Sequence, residues 1–193
     1  MEQLSKNTNI LVTGGSGQIG SNLRNSKHKK NLKFYFPESK VFNLLKKESM
    51  VSFLANNKID LILNLAAYTE VDNSEKNKSL CREINLDGVI TLSKIAKERD
   101  IGFIQISTDY VFGNNYKGIR NVNDEHYPVN FYGKTKSEAE RFVLNISENN
   151  FVIRLASVFG LKGNNFIKTI TKLILDNKDL EVVYDQKISL TSS

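Results

Sequence analysis

The 193-residue chain has one cysteine, two histidines, two prolines and no tryptophan. A lone thiol, Cys81, excludes an internal disulfide framework and fits a reducing compartment. With both histidines and the cysteine far apart in sequence, no zinc-ligand spacing arises, and no metal is expected. Long apolar runs are absent too. None approaches the roughly 18 residues needed to span a bilayer, so no membrane partner is expected. The opening "MEQLSKNTNILVTGG" lacks the basic segment followed by an apolar one that marks a signal peptide. Cytoplasm is the expected compartment.

Repeats, linkers and low-complexity tracts are missing as well, and the length fits one domain large enough to bury a full core. Hydrophobic residues make up 40% and charged residues 25%, an ordinary balance for a globular protein. The net charge of +6 raises the question of a nucleic-acid partner. Its lysines are scattered, however, and only "NSKHKKNLK" (Asn25 to Lys33) is a basic cluster. A solvated loop between a helix and a strand accounts for it, and no nucleic acid is expected.

What is present is alternation. Strand-like runs ("NILVTGG", "LKFYF", "IDLILNLAA", "IGFIQIST", "NFVIRLAS", "LEVVYD") alternate with helix-length segments ("GQIGSNLRNS", "KESMVSFLANN", "LCREINLDGVITLSKIAKERD", the segment around Tyr132, "FIKTITKLILDN"). In the longest helix, Ile84, Leu86, Val89, Leu92, Ile95 and Ala96 form an apolar stripe. Buried strands separated by helices, joined by right-handed connections, make a doubly wound parallel α/β sheet, the Rossmann fold. Such sheets bind ligands outside the carboxyl ends of their strands.

The informative residues fall there. After the first strand, "TGGSGQIGSNL" places Gly14, Gly17 and Gly20 in a G-x-x-G-x-x-G spacing. Glycine permits the tight turn, lets backbone N–H groups approach a pyrophosphate and allows close helix–strand packing. A helix starting near Gln18 aims its positive end at the phosphates. No Gly-Lys-Ser/Thr closes the loop, which disfavours a nucleoside triphosphate site. The second strand ends "FYFPES", with Phe36 and Pro37 where an acid for the ribose hydroxyls is expected and Glu38 just beyond. No arginine stands in that turn, and NADH against NADPH stays open.

At the end of the fourth long strand stand Ser107 and Thr108, in "STDYVFG", and "NFYGKTKSEAE" follows with Tyr132 and Lys136 one helical turn apart. Reducing a ketone requires a hydride donor, a proton donor for the developing alkoxide and a group that holds the carbonyl. Tyr132 supplies the proton if its pKa falls toward neutrality, and a neighbouring ammonium on Lys136 favours that fall. Thr108 would hold the substrate oxygen. Taken singly, each has a plainer role: Thr108 as a turn residue, Asp109 as a cap, Asn85 as a bond within its own helix.

Together the segments resemble the extended short-chain dehydrogenase/reductases and, within them, the dTDP-4-dehydrorhamnose reductase family. The resemblance rests on "VTGGSGQIGSNL", "IDLILNLAAYTEVDNSE", "INLDG", "ISTDYVFG", "NFYGKTKSEAE", "VIRLASVFG" and "GNNFIKTITKL", in order over nearly the whole chain. It implies Thr108, Tyr132 and Lys136 as the catalytic triad, with Asp109 beside Thr108 at the sugar. Gly17, Gln18 and Ile19 would contact the pyrophosphate in the turn bounded by Gly14 and Gly20. Asn43 and Leu44 would lie by the adenine, and Ala66, Ala67, Tyr68 and Thr69 would line the cofactor together with Tyr132 and Lys136. The implied reaction is reduction of a nucleotide-linked 4-keto-6-deoxyhexose by NADPH or NADH. Three departures stand out. Asn43 replaces the family's aspartate, Ser157 a tryptophan, and Ile188 and Leu190 a glycine and a proline. The C-terminal third of the family pattern, which helps build the substrate lobe, is missing. Residues 1–193 are therefore expected to be one dinucleotide-binding domain, with about 155–193 only the beginning of a substrate-binding portion. A non-catalytic regulatory or scaffold subunit of the same fold is the alternative, and self-association stays open.

Overall fold

A computed structural model of the chain describes residues 8–26, 31–113, 118–160, 162–163, 165–182 and 188–193. Five strands form one sheet: β1 (Thr8–Thr13), β2 (Leu32–Tyr35), β3 (Leu61–Asn64), β4 (Gly102–Thr108) and β5 (Asn150–Leu155). Their order is β2-β1-β3-β4-β5, and every pairing is parallel. Helix α1 (Gln18–Asn25) joins β1 to β2, and α2 (Lys47–Asn56) joins β2 to β3. Because the chain leaves β1 on one side and returns to its other side, the order reverses between β1 and β3. A crevice opens at such a switch point.

The β3–β4 connection holds α3 (Val71–Ser74), α4 (Lys78–Arg82) and α5 (Gly88–Glu98). The sequence pattern predicts one long helix here. Instead, a π-turn over Glu83–Asp87 interrupts it. Gly88 follows that turn at a tight passage, where a Cβ would lie 2.9 Å from the Leu44 backbone oxygen. A 3-10 turn (Asp109–Val111) leads out of β4, and α6 (Phe131–Ile146) precedes β5.

Alternation along the strands sends Leu11, Ile62 and Phe103 to one face, where they pack with Met50 and Leu54 of α2, Val89, Leu92 and Ile95 of α5, and Ala139 and Val143 of α6. These side chains exclude water as a continuous core, the dominant favourable contribution to folding. On the opposite face Ile10 and Val12 are buried, yet Phe151 and Ile153 of β5 are 59% and 44% exposed. Near that end, β6 (Val158–Phe159) pairs in parallel with β7 (Thr191–Ser192). Asn22 of α1 ties the last residue down by donating to Ser193 O at 3.2 Å and to Ser193 Oγ at 2.6 Å. Helix α7 (Phe166–Leu175) carries Phe166, Ile167, Ile170, Leu173 and Ile174 at helical spacing but buries no residue.

Three sequence expectations need adjusting. The strand expected over "IDLILNLAA" is confined to Leu61–Asn64. Residues 180–182 of the expected strand "LEVVYD" are not in a strand, and its remainder lies outside the described residues. Of the basic cluster, residues 27–30 also lie outside them.

Candidate active site

β1 runs straight into the glycine turn. Gly14 has φ +64°, a left-handed conformation that a side chain strains, and a Cβ there would lie 2.7 Å from the Ala66 backbone nitrogen. Gly17 N–H donates to Gly14 O at 3.0 Å, closing the turn, and Gly17 caps α1 without any side-chain bond. The first-turn N–H groups of α1 therefore keep no capping partner within the helix, the arrangement that suits an anion. Gly20 lets the helix lie against its own turn, since a Cβ would come within 2.6 Å of Gly14 O.

These contacts open a cleft of about 1200 Å³ over the carboxyl ends of β1 and β3. Ten of the residues singled out in the sequence line it: Gly14, Gly17, Gln18, Ile19, Gly20, Asn43, Leu44, Ala66, Ala67 and Thr69. Asn43 spends its side-chain oxygen locally, accepting from Leu45 N–H at 2.9 Å. Tyr68 is not on the cleft wall. Its backbone is held from both sides by Asn85, whose Oδ1 accepts from Tyr68 N–H at 2.8 Å and whose Nδ2 donates to Tyr68 O at 3.0 Å. Asn85 is fully buried and sits in the π-turn, which aims its amide across to the exit of β3. Its bond is thus to a loop distant in sequence, not to its own helix.

A second cluster lies one strand along, at the end of β4. Thr108 Oγ1 donates to Asp109 Oδ1 at 3.1 Å and accepts from Tyr110 N–H at 3.2 Å, so Thr108 is the cap of the 3-10 turn and Asp109 its partner. Helix α6 begins at the Asn130 cap, whose Oδ1 accepts from Gly133 N–H at 2.7 Å, while Glu75 Oε1 accepts from Phe131 N–H at 2.6 Å. Gly133 is required because a Cβ would collide with the Tyr110 carbonyl oxygen. This tight passage brings the first turn of α6 against the turn after β4. Tyr132 consequently lies close to Thr108, and its ring meets Tyr110 edge to face with centroids 5.8 Å apart.

Tyr132 and Lys136 are both buried, at 8% and 2% exposure. Burial pushes the Tyr132 phenol up to about 12, and the nearby Asp109 acts in the same direction, while the neighbouring Thr108 hydroxyl opposes them. Burial pushes Lys136 down to about 8, against the pull of Glu140. The sequence expectation was that Lys136 draws the phenol toward neutrality. Here that pull is not expressed: Lys136 Nζ donates to Ile106 O at 2.7 Å, and desolvation outweighs attraction for both groups. Tyr132 therefore holds its proton at neutral pH, the form a proton donor needs. Burial likewise raises the Asp109 carboxyl, with hydrogen bonds from the Thr108 side chain and the Asp109 and Tyr110 backbone opposing it.

What the sequence did not reveal is the polar ladder joining the two clusters. Thr13 Oγ1 donates to Asn64 Oδ1, Asn64 Nδ2 donates to Gln105 Oε1 at 2.7 Å, and Gln105 Nε2 donates to Ile106 O at 2.6 Å. Thr13 and Asn64 are register partners, as are Asn64 and Gln105. The ladder ends on the carbonyl that receives Lys136. Thr13 Oγ1 also accepts from Ala66 N–H at 3.1 Å, anchoring the cleft wall. Each residue of such a ladder looks like an ordinary strand polar residue until pairing sets them side by side. Ser107, adjacent to Thr108, has the one buried side-chain polar atom without a hydrogen-bond partner among the described residues.

Residues 8–193 match the family model described as the RmlD substrate binding domain. The chain belongs to that family. It is 35% identical over 182 residues to a dTDP-4-dehydrorhamnose reductase from Aggregatibacter actinomycetemcomitans, covering 92% of this chain and 60% of the relative. A crystal structure of a dTDP-4-dehydrorhamnose reductase from Clostridium acetobutylicum superimposes with a TM-score of 0.87 at 34% identity, over 93% of this chain and 64% of that one. Another from Bacillus anthracis, in complex with NADP, gives a TM-score of 0.84 at 27% identity, over 88% of this chain and 60% of that one. The chain thus spans 60% of the length of the first of these relatives. At 22% identity, a UDP-glucose 4-epimerase from Thermotoga maritima shares the fold alone. The glycine cleft and the Thr108–Tyr132–Lys136 cluster are carried by one parallel sheet.

Proposed function

We propose that these residues form the cofactor-binding and catalytic part of a reductase that acts on the 4-keto group of a nucleotide-linked 6-deoxyhexose, using NADPH or NADH. The observation that carries this reading is a protonated, buried Tyr132 close to Thr108 at the end of β4, on the same parallel sheet as a glycine turn in which Gly14 and Gly20 admit no side chain. The names of the relatives support the substrate class.

A dinucleotide fits the residues present. Without side chains Gly14 and Gly20 let the turn pack closely against Ala66 and α1, and the uncapped first turn of α1 borders the cleft. Gly17, Gln18 and Ile19 would hold the diphosphate, Asn43 and Leu44 the adenine, and Ala66, Ala67 and Thr69 the remaining wall. When bound, the nicotinamide supplies hydride. Thr108 then orients the substrate carbonyl, and Tyr132 delivers its phenolic proton to the oxygen as negative charge develops there. Lys136 steadies the phenolate left behind, and the Ile106 carbonyl fixes where its ammonium sits. Asp109 serves as a contact for the sugar. Residues from about 155 to 193 form the start of a substrate-binding portion. A regulatory subunit has no chemical need for the buried tyrosine–lysine pair, so catalysis is the better reading.

The deciding assay is cofactor oxidation by the full chain with a dTDP-linked 4-keto-6-deoxyhexose, in wild type and Tyr132→Phe. Turnover that collapses in the variant while cofactor binding persists is expected. Undiminished turnover in Tyr132→Phe would reject the mechanism.

A further inference from the structure

The connection from β4 to α6 is fastened to a buried ion pair that the proposed reaction does not use. Glu140 of α6 is fully buried, and its Oε2 accepts from Arg154 of β5, from Nε at 3.0 Å and from Nη2 at 2.8 Å. Arg154 reaches on to the connection, where Nη1 donates to Val122 O at 3.1 Å and Nη2 lies 2.8 Å from His126 Nε2. The other ring nitrogen, His126 Nδ1, is 2.8 Å from Ser137 Oγ. Only 10% of the His126 side chain is exposed, and its ring meets Phe112 edge to face.

A guanidinium only donates hydrogen bonds, so His126 Nε2 must offer its lone pair to Arg154. The ring proton is then on Nδ1, donated to Ser137 Oγ, and the imidazole is neutral. Protonation would set a second N–H against Arg154 Nη2. Glu140 Oε2, 3.5 Å from that nitrogen, already takes two bonds from Arg154, so the cation must displace one of them to pair there. The charged groups facing the ring are Glu140 and Arg141 of α6 and Arg154 of β5; within the connection, Arg120 stacks on Phe112, and Asp124 and Glu125 precede His126 in the chain. Burial holds His126 below its ordinary 6.5; Glu140 opposes this, and Arg154 and Arg141 add to it.

The connection leads to both groups of the β4 end. Tyr127, next to His126, donates its N–H to Val111 O at 3.0 Å, in the 3-10 turn that Thr108 caps. Phe112 closes the same turn by donating to Asp109 O at 2.9 Å. Asn130, further along, caps the helix that carries Tyr132. We propose that neutral His126 locks this connection onto the Glu140–Arg154 pair, so acting as a positioning residue for Thr108 and Tyr132, and that its protonation opens the lock. The consequence for turnover rests on the reductase reading, whereas the lock itself does not.

The sequence has two histidines, so the ring nitrogens of His126 are assigned by NMR of the isotope-labelled full chain from their loss in His126→Gln. At about pH 8 the ring should carry its proton on Nδ1 and leave Nε2 bare. A bare Nδ1, or a cation, would overturn the proposal. His126→Gln keeps an acceptor for Arg154 without titrating, and His126→Phe keeps the volume without the acceptor. From about pH 7 down to about pH 5, wild type should lose turnover at unchanged NADPH affinity, and His126→Gln should not. Amide exchange over residues 120–130 should be faster in wild type than in His126→Gln at the acid end and equal at the neutral one. His126→Phe should turn over about 10- to 100-fold more slowly than wild type at neutral pH, the effect of misplaced reacting groups, while still binding NADPH. An acid loss unchanged in His126→Gln would belong to another group, such as the raised Asp109 carboxyl, and would overturn the positioning role. Exchange that responds as expected in a wild type without any turnover would overturn the reductase reading and leave the lock standing. Exchange equal in both proteins at both ends of the range would overturn the lock, whatever the turnover.

Discussion

The two ends of the cleft are built from different materials. At the glycine end the backbone does the work: Gly14 and Gly20 admit no Cβ, and the first turn of α1 offers N–H groups rather than side chains. At the β4 end, side chains do it, and they are buried: Thr108, Tyr132 and Lys136 are all under 9% exposed. Burial there shifts Tyr132 up and Lys136 down, each toward its uncharged form. A backbone site tolerates no added atoms, whereas a side-chain site tolerates no removed functional groups. Each end should therefore fail to a different kind of substitution.

The largest effect is expected at the side-chain end. Tyr132→Phe removes only the phenolic oxygen and should lower turnover by about 10²- to 10⁴-fold, the usual contribution of a general acid, with NADPH affinity retained. Steady-state kinetics beside a binding titration separates the two. Gly20→Ala probes the other end with a single added carbon. Its Cβ would press on Gly14 O and Gly15 Cα, costing about 1–3 kcal/mol as overpacking and displacing the turn. Denaturant unfolding should register the loss, and NADPH affinity should fall with it. If Gly20→Ala binds NADPH as wild type does, the close approach of helix and turn is not what holds the diphosphate.

The ladder between the two ends supplies a further test. Gln105→Leu strips Asn64 Nδ2 of its acceptor and Ile106 O of one donor. Leaving a buried donor unpaired should cost about 1–3 kcal/mol. A stability loss accompanied by slower turnover at unchanged substrate KM would identify the ladder as the support of Lys136; a loss of stability alone would make it purely structural.

The smallest effect concerns pH. Unfolded, Lys136 keeps its proton up to its ordinary 10.5; folded, it releases it near about 8. Between those values the unfolded chain binds more protons, so raising pH through the window favours the folded state. Above 10 the raised phenol of Tyr132 opposes this, because there the folded chain is the one that retains a proton. Denaturation midpoints of wild type should therefore rise relative to Lys136→Met from about pH 8 to about pH 10. Parallel curves would show that Lys136 folds with its charge intact.

Helix and strand alternation was legible because burial imposes period on each element: "IGFIQIST" became β4 with Phe103 and Gln105 facing the helices, and "NFYGKTKSEAE" became the first turns of α6. The glycine turn was legible for a covalent reason, the lack of a Cβ. By contrast, the π-turn that aims Asn85 at Tyr68 gave no local signal, since its residues continue the same apolar stripe as the helix around it. The pull of Lys136 on Tyr132 was expected from charge alone, and burial outweighed it.

By itself, then, the order of residues determined which segments become strands and helices, where the chain must turn without side chains, and which types of group stand at the strand ends. Only the tertiary structure decided what those groups meet: that Thr13, Asn64 and Gln105 form one ladder, and that the phenol and the ammonium are desolvated. The physical reason is one of range. Backbone conformation answers to neighbours a few residues away, whereas hydrogen-bond partners and solvation are set by chain segments that come together only when the sheet has formed.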